Sequence, residues 1–160
     1  MPLFSKANEI KSNIDDVTIY VRGGIGYVPR GDVSKNIELI DKHKVLITRV
    51  YGDGGKTCPN QVVNRPFVAP SNTCCSETYL VLGAYDSIEE ATHACQYIQT
   101  KFCRFLISLL KITQDSSSKV YTFVPMQDFS KSWSDEELYK KYNLTQEEIN
   151  YIESMIKMMD

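Results

Sequence analysis

An unbroken apolar stripe in the middle of the chain constrains the fold most strongly. From Ile88 to Ile112, apolar side chains recur at alternating spacings of three and four residues. The members of the stripe are Ile88, Ala91, Cys95, Ile98, Phe102, Phe105, Leu109 and Ile112. This spacing places them on one helix face, and Ser87 with Glu90 forms a capping-box pattern at the start of the helix. The pattern predicts one long helix (about 87–112) that packs in the core or, alternatively, pairs with a partner helix.

The segments around this stripe have the composition of strands. Residues 17–21 alternate apolar and polar side chains, and the glycines within 23–26 are expected to end that strand. Residues 45–51 are rich in β-branched side chains, and 76–86 is apolar on both faces, as in an interior strand. A brief strand is also expected at 120–125. The sequence therefore predicts an α+β fold with a mixed, mainly antiparallel sheet.

Two short helices are predicted at the C-terminal end. Ser134 is followed three residues later by Glu137, and Thr145 by Glu148, and each pair is a capping-box pattern. Their apolar faces are expected to fold back on the domain or to contact a partner. These faces comprise Trp133, Leu138, Tyr142, Leu144, Ile149, Ile152 and Ile156. The predicted organisation is an N-terminal extension (1–16), an α+β domain (17–126) and a helical appendage packed on it (127–160).

Composition limits the compartment and the class of protein. The chain has 160 residues, and its longest apolar run, FLISLL (105–110), is too short to cross a bilayer. The first residues lack the basic and apolar regions of a signal peptide, so a cytoplasmic location and no membrane partner are expected. The five cysteines have no metal-site or disulfide spacing, which favours free thiols. The net charge of −2 gives no general affinity for polyanions, so any such site must be a local patch.

The sequence contains no recognisable catalytic motif. Its two histidines, His43 and His93, have no nucleophile motif beside them. The segment GDGGK (52–56) lacks the spacing of a phosphate-binding loop. The only Glu-x-Lys pattern, at Glu9, has no strand before it, whereas a metal-dependent nuclease would carry this pattern on a strand. We expect no catalytic residues and no metal site in this chain.

The loop that precedes the strand at 76–86 has the residue types that read DNA. Its candidate residues are Arg49, Tyr51, Lys56, Asn60, Gln61, Asn64 and Arg65. Arginine suits guanine, asparagine and glutamine suit adenine, and lysine suits phosphate. A second basic set on the predicted long helix adds Lys101 and Arg104, together with Lys111. The alternative is that both sets are only solvated polar surface.

Longer motifs resemble the C-terminal part of bacterial restriction–modification enzymes. The most specific segments are TKFCRFLISLLKITQ (100–114), VYTFVPMQDFSKSWSDEELYKKYNLT (120–145) and EEINYIESMIK (147–157). Upstream, GGIGYVPRGDV (23–33) and CCSETYLVLG (74–83) are similar to the preceding part of the same module. The resemblance covers nearly the whole chain from about residue 17.

In that family, the region follows an adenine-methyltransferase or restriction domain and is similar to a DNA target-recognition domain. The resemblance implies a non-catalytic module that reads double-stranded DNA beside a methyltransferase or restriction domain or subunit. S-adenosylmethionine and Mg²⁺ would then serve other domains of the parent enzyme, because no methyltransferase motif precedes residue 17. Two alternatives stay open, which are a Mg²⁺-dependent restriction nuclease domain and a structural or subunit-docking domain.

Overall fold

The structure, a computed structural model, describes residues 7–53 and 56–159. In these residues, six strands form two three-stranded sheets, and the α-helices follow them in the chain. The strands are β1 (Asp16–Val21), β2 (Gly24–Pro29), β3 (His43–Thr48), β4 (Phe67–Ala69), β5 (Thr73–Cys75) and β6 (Tyr79–Tyr85). The helices are α1 (Ile88–Gln99), α2 (Lys101–Ser108), α3 (Asp135–Lys141) and α4 (Gln146–Met155). The predicted α+β class is confirmed.

The sheets are mainly antiparallel, as predicted, but there are two of them. The first has the order β2-β1-β5, with β1 antiparallel to β2 and parallel to β5. The second has the order β4-β3-β6 and is antiparallel throughout. Aromatic rings link the two sheets, because Tyr20 of β1 lies 5.2 Å from Phe67 of β4 and 6.4 Å from Tyr79 of β6, centroid to centroid. The long loop from Arg49 to Pro66 leaves the second sheet from its central strand.

The predicted long helix (about 87–112) is present approximately, as α1 followed by α2. Thr100 separates the two helices in an extended conformation, and its hydroxyl oxygen accepts a hydrogen bond from the backbone N–H of Cys103 at 3.2 Å. A new helix therefore starts at a hydroxyl cap within the apolar stripe. Because α2 ends at Ser108, Ile112 lies outside the helix and is 82 % exposed. The buried members of the stripe are Ala91, Cys95, Ile98 and Phe102.

One strand was not predicted, and one predicted strand is absent. β1 ends at Val21, before the glycines, as expected, but Gly24 and Gly26 lie in a further strand, β2, which forms a hairpin with β1 through the two-residue loop Arg22–Gly23. Gly23 has a φ of +90°, which favours glycine because it has no Cβ. The strand expected at 120–125 does not form. Residues Ser118–Tyr121 make a 3₁₀ turn instead.

The largest core cluster joins the second sheet to all four helices. Its buried members include Ile47 of β3, Ile98 of α1, Ile107 of α2, Leu138 of α3 and Ile152 of α4. The first sheet has a smaller core of its own, made by Val17, Ile19, Val28, Val33 and Ile40. The terminal helices therefore pack on the α+β part through their apolar faces.

Two of the three predicted capping boxes are confirmed in full, at Ser134 and Thr145, whereas at the start of α1 only the Ser87 hydroxyl accepts from the N–H of Glu90, at 3.1 Å. The hydroxyl of Ser134 accepts from the N–H of Glu137 at 3.2 Å, and the Glu137 carboxylate accepts from the N–H of Ser134 at 2.9 Å. Thr145 and Glu148 exchange the same pair of hydrogen bonds, at 3.3 and 2.7 Å. Each box satisfies backbone donors that have no partner within the first turn of a helix.

The cap of α4 gives a direct stability prediction. Replacing Thr145 with Ala removes the hydroxyl acceptor, and we expect the free energy of unfolding to fall by about 1 kcal/mol. Thr145→Ser keeps the hydroxyl and is the matched control, with a change of less than about 0.5 kcal/mol. Urea denaturation followed by circular dichroism measures both. An alanine variant as stable as the serine variant would contradict the capping role.

Candidate nucleic-acid interface

An open groove of about 520 Å³ lies where the two sheets meet. The hairpin loop of the first sheet contributes Arg22, the end of β3 contributes Thr48 and Arg49, and the segment before β6 contributes Glu77 and Thr78. Two arginines from different elements therefore line the same groove, together with two threonines and one glutamate. Guanidinium and hydroxyl groups are common partners of phosphate oxygens.

The loop that leaves β3 is firmly attached at its start. The N–H of Arg49 donates to the carbonyl of Thr78 at 2.9 Å, and the carbonyl of Arg49 accepts from the N–H of Ser116 at 2.7 Å. The side chain of Lys111 is buried, and its Nζ donates to the carbonyl of Tyr51 at 2.8 Å. These bonds fix the backbone on both sides of Arg49.

The side chain of Arg49 is held but remains accessible. Its Nε donates to Oδ1 of Asp115 at 2.8 Å, and 47 % of the Arg49 side chain is exposed. The guanidinium lowers the pKa of the Asp115 carboxyl below its ordinary value, mainly through this hydrogen bond. The ion pair orients Arg49 at the groove and leaves part of its surface open to a ligand.

Asp53 organises the turn of the loop near Lys56. Its carboxylate accepts hydrogen bonds from the backbone N–H groups of Lys56 and Thr57, at 3.1 and 3.0 Å. It also accepts from the side-chain amide of Asn60 at 3.2 Å. The turn is thus built from local side-chain hydrogen bonds, as is common for aspartate in loops. Lys56 itself is exposed.

The polar side chains in the second half of the loop differ in burial and in the elements that they contact. The amide of Asn64 donates to the hydroxyl of Thr48 at 3.1 Å, which places Asn64 beside the groove, and Arg65 is exposed. Gln61 is buried, and its amide donates to the carbonyl of Val63. Asn60 pairs through its backbone with Met155 at the end of α4. Of these residues, Asn64 lies beside the groove, and Arg65 follows it on the exposed surface of the loop.

Arg104 of the second basic set is a core residue, 1 % exposed. Its Nε donates to the carbonyls of Gln99 and Thr100, at 3.0 and 3.3 Å. Its Nη1 donates to the carbonyls of Gln61 and Lys157, at 3.3 and 2.8 Å. Burial lowers the pKa of the guanidinium. Arg104 is therefore committed to backbone carbonyls, and its side chain is closed to a surface ligand.

The other basic residues of that set are also engaged. Lys101 forms an ion pair with Glu153 of α4, and only 15 % of the Lys101 side chain is exposed. Lys111 is buried against the start of the loop. The structure therefore separates the predicted DNA-binding residues into three groups. Arg49, Lys56 and Arg65 are exposed; Tyr51, Asn60, Asn64 and Lys101 are half-buried; Gln61 and Arg104 are buried.

Arg22 and the groove residues around it were not among the residues predicted from the sequence. A signal was present, because Arg22 precedes Gly23 between two segments that alternate apolar and polar residues, which is the composition of a tight hairpin. The meeting of that hairpin with the end of β3 depends on how the two sheets pack, which no local pattern encodes. Thr48, Glu77 and Thr78 reach the groove for the same reason.

The cysteines lie outside the residues that line the groove. All five cysteines are free, as expected, and Cys95 and Cys103 are buried. Burial raises the pKa of Cys74 to about 11, so its thiol stays protonated at neutral pH. Over residues 7–53 and 56–159, no three His, Cys, Asp or Glu side chains come together in a way that could hold a metal ion.

The Arg49–Asp115 pair predicts a measurable titration. Since the folded pKa of Asp115 is lowered, its ionised form adds stability above the ordinary pKa near 3.8. That contribution is lost as the pH falls through the lower, folded pKa. In Arg49→Met we expect the pKa of Asp115 to rise towards 3.8, as followed by NMR of the side-chain carboxyl carbon.

Asp128 is the internal control for this titration. Its pKa is lowered mainly by the backbone N–H of Ser130, so Arg49→Met should leave the pKa of Asp128 unchanged. An Asp115 pKa that is the same in both proteins would show that the ion pair does not hold Arg49 in solution.

The burial of Arg104 predicts a stability effect. In Arg104→Met, four backbone carbonyls lose a charged donor, and we expect the free energy of unfolding to fall by roughly 3 kcal/mol. The exposed Lys140 of α3 provides the control, because Lys140→Met should change stability by less than about 0.5 kcal/mol. Denaturant unfolding measures both variants. If Arg104→Met were as stable as the original protein but bound DNA less tightly, Arg104 would have to contact DNA, and its assignment as a core residue would be wrong.

Known proteins provide no further assignment of this surface. Comparisons with family models, curated proteins and solved structures found no match to the chain. Among the helices of the described residues, none is long and apolar enough to cross a membrane. The function of the groove is therefore inferred from its own geometry and from the resemblance in sequence.

Proposed function

We propose that this chain is a DNA sequence-recognition module of a restriction–modification enzyme and is not catalytic by itself. The resemblance of the segments at 100–114, 120–145 and 147–157 supports this assignment. In such an enzyme, methyl transfer or cleavage, with S-adenosylmethionine and Mg²⁺, belongs to a methyltransferase or restriction domain or subunit. The module supplies the contact with double-stranded DNA.

The observation that carries the proposal is the groove lined by Arg22 and Arg49. Arg22 lies in the hairpin loop of the first sheet, and Arg49 directly follows β3 of the second. Thr48 and Thr78 line the same groove, together with the acidic Glu77. This set of donors fits the oxygens of a phosphate backbone. A net charge of −2 does not prevent such binding, because a local cationic patch is sufficient to attract a polyanion.

The adjoining loop supplies the groups that would read bases. Asn64 is fixed at the groove by its hydrogen bond to Thr48, and the exposed Lys56 and Arg65 lie on the same loop. Asparagine reads adenine through paired hydrogen bonds, and arginine reads guanine in the same way. In our proposal, the arginines at the groove set the position of the duplex, and the loop provides sequence discrimination.

The test is binding of the full chain to a pool of random duplex DNA at low salt, measured by fluorescence anisotropy. Replacing Arg49, Lys56 and Arg65 together with Gln should weaken binding by at least about tenfold. The slope of log affinity against log salt concentration should become shallower by roughly one unit for each phosphate that the variant no longer neutralises.

The matched control carries the same change in charge at other exposed sites. Lys35, Lys119 and Lys140 are exposed and lie outside the loop and the groove. Their triple replacement with Gln should alter affinity by less than about threefold, because long-range attraction alone is screened by salt. If both triple variants lost the same amount of affinity, binding would depend only on net charge. That result would overturn the assignment of this surface as the DNA-binding site.

A further inference from the structure

A second open groove, of about 410 Å³, lies on the surface between α2 and α4 and is called the α2–α4 groove below. Its lining is mainly apolar and consists of Phe105, Leu144, Glu147, Glu148, Tyr151 and Ile152. The ring of Tyr151 meets that of Phe105 edge to face, with centroids 6.0 Å apart and planes at 89°. Two helices therefore present aromatic and aliphatic side chains to solvent at one place.

The α2–α4 groove continues the part of the apolar stripe that the core leaves uncovered. Phe105 belongs to this stripe, for which pairing with a partner helix was one of the two expectations. The next member, Leu109, lies one turn further along the same face and is 52 % exposed. Tyr151 is 56 % exposed. Exposed apolar side chains that adjoin one another and have a polar rim are typical of sites that bind another protein.

Both charged residues of the α2–α4 groove are acidic. Glu147 is exposed. The carboxylate of Glu148 accepts from the N–H of Thr145 at 2.7 Å, and this hydrogen bond lowers the pKa of the Glu148 carboxyl. Among the described residues, no lysine or arginine lines this groove. The N-terminal end of α4 offsets only about half a unit of negative charge, so the α2–α4 groove stays negative.

This charge selects among the possible occupants. The phosphates of DNA would be repelled. A second copy bound through the same face would bring its own Glu147 and Glu148 against these two, because a two-fold interface pairs identical surfaces. A segment that carries lysine or arginine beside apolar side chains would complement both the lining and the charge.

The backbone around the α2–α4 groove favours a helical occupant. Most of the lining side chains belong to α2 and α4, whose backbone groups are paired within each helix. An extended peptide would find no strand edge there and would gain no main-chain hydrogen bonds. A helix needs none of these bonds and can bury its apolar face between two helices.

We propose that the α2–α4 groove is a docking site for a basic amphipathic helix of another polypeptide. The apolar face of that helix packs on Phe105, Leu144 and Tyr151. Its lysine or arginine side chains pair with Glu147 and Glu148. The inference does not depend on DNA recognition, because no residue that lines the α2–α4 groove also lines the groove between the sheets or belongs to the loop from Arg49 to Arg65.

The experiment titrates the full chain into a fluorescein-labelled helical peptide and follows binding by fluorescence anisotropy. The peptide carries leucine at positions i, i+3, i+4 and i+7 and lysine elsewhere. We expect saturable binding that weakens as salt is added. Two control peptides should each bind at least about tenfold more weakly, which corresponds to about 1.4 kcal/mol. One has the same composition with the leucines scattered around the helix, and the other has glutamate in place of every lysine.

Two matched pairs of variants locate the binding. Tyr151→Ala should weaken binding at least about fivefold, as truncation of an aromatic anchor does. Phe123→Ala removes another exposed ring, outside the α2–α4 groove, and should change affinity by less than about twofold. Glu147→Lys should weaken binding at least about threefold more than Glu136→Lys, which makes the same change in charge at an exposed position of α3.

Glu148 is left unchanged because it caps α4. If Tyr151→Ala does not fold, the comparison of Glu147→Lys with Glu136→Lys decides. The proposal would be overturned by an absence of saturable binding, by equal binding of either control peptide, or by equal effects within a pair of folded variants. A dimer of the chain alone that Tyr151→Ala dissociates in sedimentation velocity would make a second copy the occupant and would also overturn it.

Discussion

The buried guanidinium of Arg104 is the interaction on which the rest of the structure depends. It holds the carbonyls at the end of α1, one carbonyl in the loop at Gln61 and one at Lys157 behind α4. Next to it, the carboxylate of Asp135 accepts the N–H groups of Lys101 and Phe102, so that α3 caps the start of α2. Burial raises the pKa of Asp135 despite these hydrogen bonds. One buried polar junction therefore fixes the helices, the loop and the C-terminal segment relative to one another.

This junction explains how a long loop can present side chains in defined positions. The loop from Arg49 to Arg65 is attached at its start to the segment 114–116, and near its end to Ile156, Lys157 and Arg104. Between these anchors, the carboxylate of Asp53 accepts hydrogen bonds from the backbone N–H groups of Lys56 and Thr57. A loop with both ends fixed loses less conformational entropy when it binds a partner than a free loop would. The end of α4 and the segment that follows it support this loop through backbone hydrogen bonds with Asn60.

Local signals in the sequence were sufficient for much of the fold. Hydrogen-bonding chemistry predicts the capping boxes at Ser134 and Thr145 and the start of α1. The sequence pattern of apolar residues predicts the strands β1, β3 and β6. The interruption at Thr100 was missed because the apolar stripe continues through it, although threonine is a common helix cap.

Features that depend on tertiary packing could not be predicted from local patterns. A charged side chain is ordinarily exposed, so the burial of Arg104 depends on carbonyls contributed by distant segments. For the candidate site, Arg49, Lys56 and Arg65 were predicted to contact DNA and are exposed. Arg22 was not predicted, because it reaches the groove only through the packing of two sheets.

The most direct test of the central claim is NMR mapping of the full chain during titration with duplex DNA at low salt. The predicted shifts lie at Gly23, Thr48 to Tyr51, Lys56, Arg65 and Glu77 to Tyr79. Shifts confined to α3 and α4, or no shifts at all, would contradict recognition through the groove and its loop.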